Sequence, residues 1–216
     1  MMSVLLGFPD RAFAQFTLTA AQTQVPPVID GVVADGEWNG ASLAAAFVQF
    51  EPRRGEASPY RTEALVLYDK QHVYVAFRAW DPEPLTAQLT QRDAALDRDD
   101  AVGVLLDTFD DRQTAYLFVV NVLGTQADAR IADDGRTVDF NWDGPWRAAA
   151  GRTPEGWTAE LSLPLTSLSS TSRARIAPGA STSYWGIGKA GDLAAAFKRA
   201  LDRQQQEAPG KGCCSS

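Results

Sequence analysis

At 216 residues and 45% hydrophobic content, the chain is long enough to bury one sizeable core and hardly two. A formal charge of -7, with no cluster of lysines and arginines, excludes a nucleic-acid face, because neutralising phosphates needs a basic surface. No stretch approaches the roughly 18 consecutive apolar residues that a membrane-spanning helix requires.

Taken from the N-terminus, Ala12-Phe13-Ala14 before Gln15 fits the small-x-small pattern cut by signal peptidase. Met1 to Gly7 is apolar but has no basic residue ahead of it, and Pro9, Asp10 and Arg11 interrupt the run. Residues 1–14 therefore read as the remnant of a signal peptide whose start lies upstream, and the protein as exported. Strands are expected over 17–20, 47–50, 62–68, 72–80, 101–107, 115–122, 127–132, 146–153, 157–163 and 184–188, separated by turn residues at short intervals. That spacing is the signature of a sandwich, so residues 15–188 are predicted to form an all-β, immunoglobulin-like or jelly-roll-type antiparallel β-sandwich.

The sequence distinguishes strands by face. Residues 101–107 and 115–121 are apolar on both faces and flank a short polar turn, which predicts a hairpin buried on both sides. Leu65 to Phe77, turning at Asp69-Lys70-Gln71, has the same character and is expected centrally in a sheet. Thr158 to Leu163 alternates, with Ala159, Leu161 and Leu163 toward the core and Thr158, Glu160 and Ser162 toward solvent. Trp38 is expected to plug one end of the core.

Beyond residue 188 the pattern changes. Asp192 can cap a short helix in which Leu193, Phe197 and Leu201 recur every four residues, but the tail over 189–216 also reads as disordered. Cys213 and Cys214 are adjacent, a spacing at which bridging is strained, and His72 is the only histidine, so no disulfide framework or Cys/His metal spacing exists. Nucleophile elbows, zinc motifs and phosphate-binding glycine loops are also missing, and acids such as Asp97, Asp99, Asp100, Asp107 and Asp110 read as strand-end turns, so the chain is not expected to be an enzyme. Calcium is a different matter, because it takes six to eight oxygen ligands. A structural calcium held by Asp81, Asp99 and Asp100 is one reading, and a solvated acidic loop neutralised by Arg92 and Arg98 is the other.

Pro26-Pro27-Val28-Ile29-Asp30-Gly31, Gly36-Glu37-Trp38, the 99–121 hairpin, Trp142-Asp143-Gly144 and Gly156-Trp157-Thr158-Ala159-Glu160 occur in one order. Over Thr17 to Ile187 this pattern resembles the family 9 carbohydrate-binding modules, in particular the branch at the front of bacterial surface proteins that continue into an outer-membrane barrel-like region. The resemblance implies a non-catalytic module that binds oligo- or polysaccharide, is accessory to glycoside hydrolases, and lies in the periplasm or at the outer-membrane surface of a Gram-negative bacterium. It equally allows a structural domain that docks on an outer-membrane barrel without sugar affinity. Haem, bound by a related superfamily, is disfavoured because His72, Met1 and Met2 are the only candidate axial ligands.

A pyranose is held by a flat aromatic face against its C-H groups and by amides or carboxylates on its hydroxyls. Trp142 and Trp146, with Asn141, Asp143 and Asn121, are the expected contacts; the alternative for Trp146 is burial where its strand begins. Where sugar-binding relatives carry a stacking tryptophan, a glutamate and an arginine, this chain has Asp97, Gly103 and Val119, and it retains the nearby asparagine as Asn121.

Overall fold

The computed structural model describes residues 2–4, 16–45, 47, 56–94, 96, 99–108, 113–133, 136–168 and 183–189. The expected tail helix, Cys213, Cys214, Asp97, Arg98 and Asp110 lie outside them. The described residues form thirteen strands: β1 (Met2–Val4), β2 (Phe16–Leu18), β3 (Ala21–Gln22), β4 (Ser42–Ala44), β5 (Thr62–Tyr68), β6 (His72–Trp80), β7 (Asp100–Leu106), β8 (Ala115–Asn121), β9 (Gln126–Ala132), β10 (Thr137–Asp139), β11 (Arg147–Thr153), β12 (Gly156–Pro164) and β13 (Ser183–Lys189). One sheet runs β10-β9-β8-β7-β13 and the other β11-β12-β6-β5-β3, with β4 also paired to β5 and β1 paired separately to β2. All pairings are antiparallel except β3 with β5. The β-sandwich expected from the sequence is therefore the fold.

Turn chemistry sets the register of the β5–β6 hairpin. The Asp69 carboxylate accepts the N–H groups of Gln71 and His72, both at 2.7 Å, and the Tyr74 hydroxyl at 2.8 Å. Burial pushes its pKa up, but these donors outweigh it and hold the group below its ordinary range. Of the strand expected over 47–50, Phe47 is not in a strand and the rest lies outside the described residues. β4, which pairs Leu43 with Leu65, was not expected from the sequence.

Between the sheets, Val102, Val104, Tyr116, Phe118 and Val120 face Val66, Val75, Phe77, Ala159, Leu161 and Leu163. Both sheets are also covered on their outer faces. Leu96, with Leu89 and Ala94 packed alongside, lies on Ala101, Leu105, Leu117, Val119 and Ala129. On the other side a strap containing Ile29, Val33, Trp38 and Ala41 lies on Leu65, Leu67, Tyr74 and Ala76. Trp38 thus belongs to an outer layer and does not plug the end of the central core.

This second cover overturns the reading of β12 as half-solvated, since Glu160 is fully buried. Its Oε2 accepts the N–H groups of Asp30 at 3.0 Å and Gly31 at 2.9 Å, and its Oε1 accepts the Trp38 indole N–H at 2.8 Å. Thr158, its neighbour on the same face, is close to the same point and donates to the Gly31 carbonyl at 2.7 Å. Gly31 has φ +89°, and an added methyl group there would lie 2.7 Å from the Ala150 backbone, so only glycine lets the strap come this close.

Burial raises the Glu160 pKa above its ordinary 4.5, although the donors from Trp38, Gly31 and Asp30 pull it down. The folded state therefore holds this proton more tightly than the unfolded chain. The stability that follows is full below pH 4.5 and is lost as pH rises through the folded value. Glu160→Gln sets an amide N–H₂ against one of these donors and is expected to cost about 2–3 kcal/mol. Urea unfolding of both proteins between about pH 4 and pH 8 should show the gap widest at the acid end and narrowing to a plateau.

Candidate saccharide platform

A turn and loop over 140–146 join β10 to β11 and carry four of the residues singled out from the sequence. Trp142 is half-buried over the inner face of β8, its ring centroid 4.9 Å from that of Tyr116 and 5.9 Å from that of Phe118. A methyl group at Gly144 would lie 2.7 Å from the Trp142 ring, so the Asp143-Gly144 turn is shaped by that ring. Asn141 and Asp143 are exposed beside it, and Phe140 is 57% exposed. The Asn141 backbone and side-chain amides both donate to Asp139 Oδ1, at 3.0 and 3.3 Å.

Trp146 and Asn121 are placed differently, because both are buried. The Trp146 ring packs edge-on against Phe118, and its Nε1 donates to Asp128 Oδ2 at 2.6 Å. Asn121 has no exposed surface and every polar atom engaged: Nδ2 donates to Leu89 O and Asp99 Oδ2, each at 2.8 Å, while Oδ1 accepts the N–H groups of Leu123 and Thr125. Neither presents a surface to a ligand. Both hold the scaffold, leaving the half-buried Trp142 and the exposed Asn141 and Asp143 as the accessible members of the predicted set.

Asp81, Asp99 and Asp100 fasten the segment that covers the first sheet. The buried Asp99 carboxylate takes the N–H groups of Gln88 and Leu89, Asp100 Oδ2 takes that of Thr86 at 2.7 Å, and Asp81 Oδ1 takes that of Glu83 at 2.9 Å. Among the described residues, no three His, Cys, Asp or Glu side chains are grouped to hold a metal ion.

Two further residues build the platform. Arg92 reaches from the covering segment, its Nη2 donating to Asp128 Oδ2 at 2.8 Å, Asp143 Oδ1 at 2.7 Å and Gly144 O at 3.1 Å, and its guanidinium lying 5.9 Å from the Trp146 ring centroid. Asp128 is fully buried at its side chain. Burial raises its pKa against the lowering effects of the Trp146 and Gly144 N–H groups and of Arg92. From the sequence, Arg92 was expected only to neutralise neighbouring acids, and Asp128 was not singled out. The available signal was the alternation of Ala127-Asp128-Ala129-Arg130-Ile131, which puts two charges on one face of a strand.

The profile of the family described as "Carbohydrate family 9 binding domain-like" matches residues 29–181. The chain belongs to this family. Solved structures similar to this carbohydrate family 9 binding domain-like chain include a family 9 carbohydrate-binding module from Caldicellulosiruptor kristjanssonii in complex with glucose. That one is 18% identical with a TM-score of 0.49, over 68% of this chain and 68% of that one. A complex of a module from the same organism with cellotriose gives 19%, 0.49, 68% and 66%. A putative carbohydrate-binding protein from Bacteroides uniformis is 12% identical with a TM-score of 0.52, covering 70% and 77%, and this likeness concerns the fold alone. A search of curated proteins found no match.

Removing Asp128 takes away the acceptor of both Trp146 and Arg92 and empties a buried site. Asp128→Ala is expected to lower stability by about 3 kcal/mol or more. Arg92→Ala, acting at a residue about a third exposed, should cost about half as much. Denaturant midpoints check the order, and hydrogen exchange at Gly144 should speed up in both variants.

Proposed function

We propose that the chain is a non-catalytic saccharide-binding module whose platform is the exposed part of Trp142, with Asn141 and Asp143 meeting sugar hydroxyls. Membership of the carbohydrate family 9 binding domain-like family across residues 29–181 carries this reading. The local chemistry supports it: a tryptophan held by Tyr116, Phe118 and Gly144 loses little further freedom on stacking, and exposed amide and carboxylate groups stand beside it. An accessory role beside a glycoside hydrolase and export to the periplasm or outer surface go with the same reading, whereas Asp81, Asp99 and Asp100, spent on the N–H groups of Glu83, Gln88, Leu89, Asn121 and Thr86, do not make a calcium site among the described residues.

A second reading, a docking domain, is favoured by one observation. Val25, Val28, Val32 and Leu43 are each more than half exposed on the strap and the adjoining β4. Scattered surface valines are common on soluble proteins, so this observation weighs less.

Calorimetric titration of the whole chain with glucose, cellotriose and a xylan oligosaccharide, with and without calcium, tests the proposal. Saturable binding to one of them, weakened about tenfold or more in Trp142→Ala and less in Asn141→Ala, is the expected result. Urea midpoints of both variants establish that they are folded. A folded wild-type chain that binds no saccharide overturns the proposal and favours docking.

A further inference from the structure

Sheet register assembles a row that the sequence alone does not show. Tyr116 lies opposite Arg130, and Arg130 lies opposite Asp139, so the three share one face across β8, β9 and β10. Two residues before Arg130 on β9, Asp128 turns its carboxylate to the Trp146 indole inside the sandwich, and strand alternation puts Arg130 on that same side. Trp142 stands over Tyr116. The exposed Arg130 therefore emerges at the margin of the sandwich, flanking the residue on which the Trp142 ring rests.

Two arginines reach this region and differ in what they do. Arg92 is committed to Asp128, Asp143, Gly144 and Gln126. The Arg130 side chain makes no hydrogen bond, ion pair or ring contact among the described residues, although Asp139 is its direct cross-strand partner. A guanidinium left free keeps five N–H donors in a planar fork. Asp139 spends Oδ1 on Asn141, and its Oδ2 has no partner among the described residues. A donor fork and a free acceptor oxygen thus stand side by side, next to an aromatic surface.

The charges decide which saccharide fits. Arg92 is spent on Asp93, Asp128 and Asp143, and the exposed Arg130 stands opposite the exposed Asp139, so the pair that meets a ligand is balanced and gives an anionic sugar no net attraction. A neutral ring with adjacent hydroxyls matches the donor fork and the free carboxylate oxygen. We propose that Arg130 is a binding residue that donates a pair of hydrogen bonds to adjacent hydroxyls of a neutral sugar ring stacked on Trp142. The inference rests on the saccharide-binding reading above.

Calorimetry on the whole chain tests it, with cellotriose as the neutral probe and trigalacturonate as the anionic one. Arg130→Ala is expected to weaken cellotriose binding about tenfold with an unchanged urea midpoint. Arg130→Lys, which keeps the charge but not the fork, should recover only a small part. Raising salt from about 50 to about 500 mM should leave cellotriose affinity unchanged, as expected for an uncharged ligand. Wild-type affinity in Arg130→Ala while Trp142→Ala binds weakly would overturn this inference and leave the platform standing. Tighter, salt-sensitive binding of trigalacturonate would overturn the neutral-sugar assignment. Failure of the folded wild type to bind either probe would overturn this inference, and would overturn the saccharide-binding reading as well if glucose and the xylan oligosaccharide also fail to bind.

Discussion

The carboxylate of Glu160 sits beneath the strap that covers the second sheet, and it collects three N–H groups from that strap: two from the backbone at Asp30 and Gly31 and one from the Trp38 indole. A strap crossing a sheet face has no neighbouring strand to satisfy its amides, so a buried acceptor with two oxygens is the compact solution. Removing a carboxylate from water costs several kcal/mol. Three charge-assisted hydrogen bonds of about 1.5–3 kcal/mol each offset part of that cost, leaving the pKa raised, and the strap then keeps Leu65, Leu67 and Tyr74 dry.

The same device recurs twice. Asp99 accepts the amides of Gln88 and Leu89 and the Asn121 side chain, fixing the segment over the first sheet. Asp128 accepts the Gly144 amide, the Trp146 indole and Arg92, fixing the loop that carries Trp142. Each carboxylate ties an irregular segment to a sheet. Among the described residues, Asp128 alone of the three has a cation, and that cation also reaches Asp143 and Gly144, so the platform loop and the covering segment are joined through one guanidinium.

What could be read from the sequence follows from where the information lies. The hairpins at 65–77 and 101–121 were legible because apolar residues on both faces and a turn signal are local properties; β5 and β6 begin and end where expected. Resemblance over the glycine, tryptophan and glutamate motifs placed the family correctly, and the structure now gives those motifs a mechanical role: Gly31, Trp38, Thr158 and Glu160 form one contact. Alternation in β12 misled because a glutamate under a strap and a glutamate in water look the same along the chain. Trp146 and Trp142 sit four residues apart in one loop, and only the distant Asp128 decides that the first turns inward. Arg130 could not be found at all without the pairing of β8, β9 and β10.

Covering both outer faces limits where this module can meet a partner. In a sandwich with one bare sheet face, a ligand can lie across the strands; here Leu105, Leu117, Val119 and Ala129 lie beneath one cover, and Leu67, Tyr74 and Ala76 beneath the other. Among the described residues, the surfaces left are the strap's exterior and the margins where loops leave the sheets. Of those margins, the one at β9 and β10 combines a fixed aromatic ring with uncommitted polar groups. Trp142 is held from below by Tyr116 and Phe118, its loop is tied back through Asp128, and Arg130 and Asp139 keep hydrogen-bonding capacity that the fold does not use. Rigid support and unused polar groups at the same place are what a binding surface requires, and they coincide here because the carboxylate anchors leave the rest of the margin free of structural duty.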